Sequence, residues 1–114
     1  GCASLPGTDP EALKLPLSYL YHEHQAPPEL LAHALPGRHV DMNLMDRGEI
    51  DKAAARKSLP PLIKAYLRLG AFVGDGAVVD HQFGTTDVFI VLPLDRVADK
   101  YHEHFERNET AAAE

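Results

Sequence analysis

Hydrophobic positions along the chain recur with two different periods. A spacing of three and four residues, typical of an amphipathic α-helix, runs along "LPPLIKAYLRLG" and predicts a helix that ends at Gly70. Its predicted apolar face consists of Leu59, Leu62, Ile63, Tyr66, Leu67 and Leu69. An earlier helix is predicted to begin near Pro10, with a kink or a break at Pro16. Its apolar face consists of Leu13, Leu17, Leu20 and His24, and a last helix, over 94–107, places Leu94, Val97, Tyr101 and Phe105 on one stripe.

Alternating and continuous apolar runs predict strands. "GCASL" is predicted as a short strand, and "RHVDMNLM" places Val40, Met42 and Leu44 on one face of a half-buried strand. The centre of "TTDVFIVLPL" is apolar on both faces, which is typical of a strand covered on both sides. A short helix is predicted over 28–34, and "DRGEIDKAAARKS" is polar and helix-prone. Residues 1–107 are therefore predicted to form an α+β domain with few strands packed against amphipathic helices, and residues 108–114 a disordered tail.

Charge and composition exclude several classes of function. The chain has 114 residues and a net charge of −6, and its eleven Lys and Arg residues are scattered, so a broad nucleic-acid surface is not expected. Cys2 is the only cysteine, which favours a reducing, cytoplasmic location over a disulfide scaffold. The apolar runs are too short to span a bilayer, so any contact with the inner membrane is expected to be peripheral.

The tetrapeptide "YHEH" occurs twice, at 21–24 and 101–104. Both copies fall in predicted helices, where residues two apart point about 200° away from each other, so one His-x-His pair cannot hold one ion. The flanking sequences share no hydrophobic frame, which argues against a repeat. We therefore expect no metal site. Histidines at helix carboxyl ends, favoured by the helix dipole when protonated, account for both copies.

Candidate chemistry is concentrated in "GDGAVVDHQFGTTDVF". Asp87 lies within an otherwise apolar strand, where a carboxylate must be hydrogen-bonded, paired or used in acid–base chemistry. Its structural alternative is to bind backbone N–H groups of the "FGTT" turn or to meet Arg68. Asp80, before His81, presents the same choice between a turn-former and a functional group.

The segments "GCASLPGTDP", "PLSYLYHEHQAPPE" and above all "LPPLIKAYLRLGAFVGDGAVVDHQFGTTDVFIVLPLDRV" resemble the bacterial ornithine-lipid acyltransferases, often labelled hemolysin-like. The resemblance covers nearly all of the chain outside the tail. It implies a GNAT-type acyltransferase fold and transfer of a fatty acyl group from acyl carrier protein to the α-amine of ornithine, with no cofactor other than the carrier-protein thioester. It also implies that this chain is the C-terminal portion of a longer protein, without the half that holds most of the donor site.

Within that framework the residue roles follow from chemistry rather than from the resemblance. Asp80 or Asp87 is a candidate base or a ligand for the ornithine side-chain ammonium, and His81 and Phe83 are candidate substrate contacts. Arg68 is a candidate for the ornithine carboxylate, and Lys64 for acidic carrier protein. The general acid for the leaving thiolate is the exception: the resemblance implies Tyr19 or Tyr21, because GNAT folds often keep a tyrosine as general acid in the region after the first strand.

Two other functions stay open at this stage. One is a non-catalytic module that forms a homodimer or binds acyl carrier protein, and the other is an acyltransferase of the same fold with another amine acceptor. Membrane lysis is not expected, because the chain is acidic and has no basic amphipathic helix. The isolated chain is expected to be inactive.

Overall fold

A computed structural model of the chain describes residues 1–31 and 39–94. The described strands are β1 (Cys2–Pro6), β2 (His39–Val40), β3 (Phe72–Asp80) and β4 (Thr85–Val91), and the described α-helices are α1 (Lys14–His24), α2 (Lys52–Ser58) and α3 (Pro61–Arg68). Short 3-10 turns lie at Pro28–Leu30 and Arg47–Glu49. These elements confirm a mixed α+β architecture.

The strands form one antiparallel sheet in the order β1-β4-β3-β2. The last strand along the chain, β4, therefore lies between β1 and β3. A tight turn joins β3 to β4, and its last residue, Gly84, has φ of 69°, a conformation that favours glycine. β1 and β2 are the two edges of the described sheet.

Only one face of the sheet is fully covered. Thr86, Val88 and Ile90 of β4 point into the core, whereas Asp87 and Phe89, which alternate with them, are half-buried. The prediction that β4 is covered on both sides was therefore wrong among the described residues. The helices pack on the buried face, where the core is formed by Leu5, Leu17, Leu20, Met42, Ala55, Leu59, Ile63, Val73, Ala77 and Val88, among others.

The first helix differs from the prediction at its start. α1 begins at Lys14 rather than near Pro10, after a turn. Pro16 is its third residue, and the N–H groups of a helix's first turn have no intrahelical partner, so a proline there removes no hydrogen bond. No break occurs at Pro16.

The predicted amphipathic helix is confirmed as α3, with a correction to its apolar face. Ile63 is buried and Tyr66 and Leu67 pack against the core, but Leu62 is 59% exposed and Leu69 is exposed as well. Successive helical residues are rotated by about 100°, so Leu62 is turned away from the face that Ile63 defines. Gly70 follows the helix with φ of 94°, as its predicted capping position requires.

The second predicted strand is much shorter than its alternating pattern. β2 contains only His39 and Val40; beyond it, the Asp41 carboxylate accepts a hydrogen bond from the Asn43 N–H at 2.8 Å. This local turn bends the chain and ends the pairing. Met42 still reaches the core, whereas Leu44 is exposed.

Several predictions lie partly or wholly outside the described residues. The predicted helix at 28–34 is seen as the 3-10 turn Pro28–Leu30, and its remainder extends beyond residue 31. The last predicted helix after residue 94, the second "YHEH" copy and the tail at 108–114 also lie outside. In the described ranges, no helix combines the length and apolar character needed to cross a membrane.

Candidate functional site

Most of the predicted site residues line one of two clefts, which share no described residue. The first, here called the sheet cleft, has a volume of about 610 Å³ and is lined by His39, Val40, Val78, Val79, Asp80, His81 and Asp87. The second, here called the helix cleft, has a volume of about 430 Å³ and is lined by Tyr19, His24, Arg56, Lys57, Leu59, Lys64, Leu67 and Arg68. The structure thus brings Asp80, His81 and Asp87 together but places Tyr19, Lys64 and Arg68 elsewhere. Phe83 is 76% exposed in the turn between β3 and β4.

The strand register explains why distant residues meet at the sheet cleft. Asp87 is paired with Ser4 of β1 on one side and with Val78 of β3 on the other, and Val78 is paired with His39 of β2. Directly paired residues of antiparallel strands point to the same face, so these four side chains form one row across the sheet. The row lies on the face that the described helices leave uncovered.

Asp87 is held by two hydroxyl groups. Its Oδ1 atom accepts hydrogen bonds from Ser4 Oγ at 2.6 Å and from Thr85 Oγ1 at 3.0 Å. The structural alternative expected from sequence was therefore wrong in its partners, because Asp87 meets side-chain hydroxyls and Arg68 lines the other cleft. The two hydroxyls fix the direction of the carboxylate, and the half-buried side chain still faces the sheet cleft.

Asp80 closes the turn between β3 and β4. Its Oδ1 atom accepts hydrogen bonds from the backbone N–H groups of Gln82 at 3.0 Å and Phe83 at 3.1 Å. The turn-forming role considered from sequence is confirmed. Asp80 also lines the sheet cleft, two pairs further along the β3–β4 ladder than Val78 and Asp87 and therefore on the same face. Two carboxylates consequently face this cleft, which suits it to a cationic ligand.

The helix cleft has the opposite character. Arg56 and Lys57 come from the last turn of α2, and Lys64 and Arg68 lie four residues apart on α3. No carboxylate belongs to the described lining, and the ion pairs found within 1–31 and 39–94 involve none of these four cations. Sequence analysis singled out only the two residues of α3, because a local pattern does not show that α2 and α3 line one cleft.

Tyr19 and His24 form a pair at the helix cleft. The Tyr19 hydroxyl and His24 Nε2 are hydrogen-bonded at 3.2 Å, and the rings meet edge to face with centroids 5.2 Å apart. Burial lowers the pKa of His24 below its ordinary value of 6.5; the Glu23 carboxylate opposes this shift, and the Arg56 guanidinium adds to it. Burial therefore disfavours the protonated form of His24, on which the expected interaction with the helix dipole depends.

His22 turns away from His24. Its Nε2–H donates a hydrogen bond to the Met45 carbonyl at 2.9 Å, and its ring meets Tyr21 edge to face. The two histidines of the first "YHEH" copy therefore have separate partners. Among the described residues, no group of three or more His, Cys, Asp or Glu side chains is arranged to hold a metal ion.

Fold and clefts together define an α+β domain with an acidic cleft on the sheet face that the described helices leave open and a cationic cleft among those helices. Sequence comparison relates this domain to known proteins. The chain is 49% identical over 105 residues to the L-ornithine N(alpha)-acyltransferase of Brucella abortus (strain 2308) and 48% identical over 105 residues to that of Agrobacterium fabrum (strain C58). It is also 44% identical over 107 residues to that of Rhodobacter capsulatus.

These matches cover 92% to 94% of this chain, but the chain spans only 36% to 40% of the length of these relatives. The chain is therefore homologous to the C-terminal part of L-ornithine N(alpha)-acyltransferases, which confirms the resemblance. No protein-family profile matches the chain. No solved structure matches it either.

Proposed function

We propose that this chain is part of a GNAT-type N-acyltransferase that transfers a fatty acyl group from an acyl carrier protein thioester to the α-amine of ornithine. The observation that carries the proposal is the identity of 44% to 49% with L-ornithine N(alpha)-acyltransferases over 92% or more of the chain. The mixed α+β fold is compatible with the GNAT assignment. The lipid product would account for any peripheral contact with the inner membrane from a cytoplasmic enzyme.

The reaction sets clear demands on the site. The α-amine must be neutral to attack the thioester carbonyl, forming a C–N bond as the C–S bond breaks. The amine proton goes to a base, and the leaving thiolate takes up a proton from an acid. The nitrogen and the carbonyl carbon must meet at about 3–3.5 Å. In our proposal, the residues that hold the donor lie largely outside this chain, since the relatives are more than twice as long.

We assign the sheet cleft to the acceptor. Ornithine carries one carboxylate and two ammonium groups at neutral pH, so its net charge is positive, and the carboxylates of Asp80 and Asp87 attract it. Asp87, oriented by two hydroxyl groups, is the group best placed to bind the side-chain ammonium or to take the α-amine proton. His81 lines the same cleft, and Phe83 lies beside it in the turn.

The separation of the clefts changes two of the roles predicted from sequence. Arg68 lines the helix cleft, so we no longer assign it to the ornithine carboxylate. Tyr19 stays the proposed general acid only for a thiolate that reaches the floor of the helix cleft, where its hydroxyl meets His24. Lys64 lines the helix cleft, and its proposed role is still to contact the acyl carrier protein that donates the acyl group.

The test is acyl transfer by the protein at its native length, with purified acyl carrier protein thioester and ornithine. Replacing Asp87 by Asn should lower kcat/KM by about 100-fold or more, as expected for loss of a general base. Asp46→Asn is the matched control, because Asp46 is exposed and lies outside both clefts. Normal turnover by Asp87→Asn would remove Asp87 from the mechanism.

A second acceptor separates binding from proton abstraction. Norvaline has the length of ornithine without the side-chain ammonium, and a site built to bind that group rejects the analogue strongly. If Asp87 binds the ammonium, Asp87→Asn should raise KM for ornithine and reduce the preference over norvaline. If Asp87 is the base, kcat should fall equally with either amine.

The alternative function is that of a non-catalytic module that forms a homodimer or binds acyl carrier protein. β1 is an edge strand whose outward residues Cys2, Ser4 and Pro6 are exposed, and such edges pair readily with other strands. A stable dimer of the 114-residue chain, or binding of acyl carrier protein by a native-length protein that transfers no acyl group, would favour this function.

A further inference from the structure

The helix cleft concentrates positive charge in an acidic protein. Four of the eleven Lys and Arg residues line it, although the chain has a net charge of −6. Lys64 and Arg68 lie four residues apart on α3 and so share a helix face. Arg56 and Lys57 line the same cleft from α2, which ends at Ser58 and is separated from the start of α3 at Pro61 by two residues.

Among the described residues, the carboxylate whose charge acts on His24 at the cleft is engaged elsewhere. Glu23 of α1 is paired with Lys52 at 3.4 Å and with Arg47 at 3.8 Å, and neither of these cations lines the cleft. Cations held close together without anions repel one another, and an anionic ligand relieves that repulsion.

Apolar groups lie beside the cations. Leu59 and Leu67 belong to the lining, and Tyr19 and His24 add an aromatic pair. The cleft therefore matches a ligand in which an anion adjoins an apolar group. Ornithine does not match, because its net charge is positive and would be repelled.

We propose that the helix cleft binds the phosphate end of the phosphopantetheine arm that carries the acyl group. This inference rests on the proposed function, because it takes the acyl donor to be a carrier-protein thioester. In that arm the phosphate is bonded to a carbon beside a dimethyl-substituted carbon, so charge and apolar surface are adjacent. Arg56 and Arg68 can each donate a fork of hydrogen bonds to phosphate oxygens, with Lys57 and Lys64 as further donors.

An anchor at this point does not require the reaction to occur in the helix cleft. The arm separates its phosphate from its sulfur by a long flexible chain, so the thioester can lie at a distance from Arg68. The four cations are then binding residues for the donor, and the sheet cleft is left to the acceptor. The charge of each cleft thus matches the anionic donor to the helix cleft and the positively charged acceptor to the sheet cleft.

The experiment measures binding to the 114-residue chain by calorimetry, without turnover. The probes are 4′-phosphopantetheine, pantetheine and inorganic phosphate. We expect 4′-phosphopantetheine to bind at least about tenfold more tightly than pantetheine, because charge-assisted hydrogen bonds to the phosphate are lost. It should also bind more tightly than inorganic phosphate, which cannot contact Leu59 and Leu67.

Two variants test the residues. Arg68→Gln should weaken binding of 4′-phosphopantetheine about tenfold. Lys14→Gln removes the same charge from an exposed lysine that is paired with Glu11 outside the cleft, and it should leave binding unchanged. Arg68 and Lys14 are both exposed, so neither substitution should disturb the fold. Circular dichroism of each variant checks this expectation.

Three results would overturn the inference: equal binding of 4′-phosphopantetheine and pantetheine, unchanged binding by Arg68→Gln, or equal binding of 4′-phosphopantetheine and inorganic phosphate. The last would leave a simple anion site. These failures are distinguishable from failure of the proposed function. Acyl transfer by the native-length protein without binding here defeats only the anchor, and binding here without transfer to ornithine defeats only the proposed reaction.

Discussion

The hydroxyl groups that hold Asp87 offer a direct test of how the sheet cleft is organised. Ser4→Ala and Thr85→Val each remove one of the two donors to Asp87 Oδ1, at 2.6 Å and 3.0 Å, while keeping a residue of similar size. Both substitutions leave the strand pairing intact, because only side-chain atoms are involved. The free energy of unfolding of the 114-residue chain is the first quantity to measure.

The expected loss in the free energy of unfolding depends on how exposed the hydrogen-bonded side chains are. A hydrogen bond to a charged group contributes about 1.5–3 kcal/mol where water is excluded. Ser4 is exposed and Asp87 and Thr85 are half-buried, so water replaces part of each lost bond and about 0.5–1 kcal/mol is expected for either substitution. Because both donors share one oxygen, the second bond strengthens when the first is removed. The double variant should therefore lose more than the sum of the single variants.

Urea unfolding of Ser4→Ala, Asp87→Ala and the corresponding double variant gives the coupling between donor and acceptor. We expect a coupling free energy of about 0.5–1 kcal/mol. In the native-length enzyme, a loss of about 1 kcal/mol in the transition state would lower kcat/KM about fivefold for Ser4→Ala. Strictly additive effects, within about 0.3 kcal/mol, would show that Ser4 does not orient the carboxylate, and our account of the site would fail.

Three further predictions concern the fold that supports the clefts. Leu17→Ala should lower the free energy of unfolding, measured in urea, by about 3–4 kcal/mol, because Leu17 is fully buried. Leu62→Ala should change it by less than about 0.5 kcal/mol, because Leu62 is exposed. Similar losses in the two variants would contradict the assignment of Leu17 to the core and Leu62 to the surface. Asp51→Ala should lower the free energy of unfolding by about 1 kcal/mol and reduce the helical circular dichroism signal, because the Asp51 carboxylate accepts hydrogen bonds from two N–H groups at the start of α2. An unchanged midpoint of urea unfolding would refute this capping role. His24→Gln should flatten the loss of stability below pH 6.5, and a pH profile parallel to that of the native chain would contradict the buried neutral histidine.

The sign of the His24 effect follows from proton binding. Below pH 6.5 the unfolded chain takes up a proton at this histidine, while the folded chain, with its lowered pKa, still holds the ring neutral. Folding therefore releases a proton there, and stability falls as the pH falls. The contribution of His24 is fully present above pH 6.5 and is lost as the pH falls through the folded-state pKa.

Local patterns predicted the elements of the fold better than their arrangement. The helix ending at Gly70, the strand beginning at Thr85 and the turn held by Asp80 all depend on residues a few positions apart, and all are confirmed. The kink at Pro16 was wrong because the effect of proline depends on where the helix starts. The long strand after His39 was wrong because the Asp41 turn outweighs the alternation of its neighbours.

The site required information that no local pattern contains. Ser4 and Asp87 are 83 positions apart, and they meet only because β4 is inserted beside β1. The separation of Asp87 from Arg68 likewise depends on which face of the sheet each one reaches. Sequence identified reactive side-chain types, but the sheet register decides which of them can act on one ligand.

The net charge of the chain does not indicate the charge of its individual clefts. A charge acts on a bound group mainly within a Debye length, about 8–10 Å at physiological ionic strength, so a cleft responds to its own lining rather than to the total of −6. The helix cleft has four cations and no described carboxylate, and the sheet cleft has two carboxylates. A positively charged amine and an anionic donor would therefore approach different surfaces of the chain. In the proposed reaction, such sorting would keep the acceptor amine away from the cations of the helix cleft, which would repel it, and would leave those cations available to the donor.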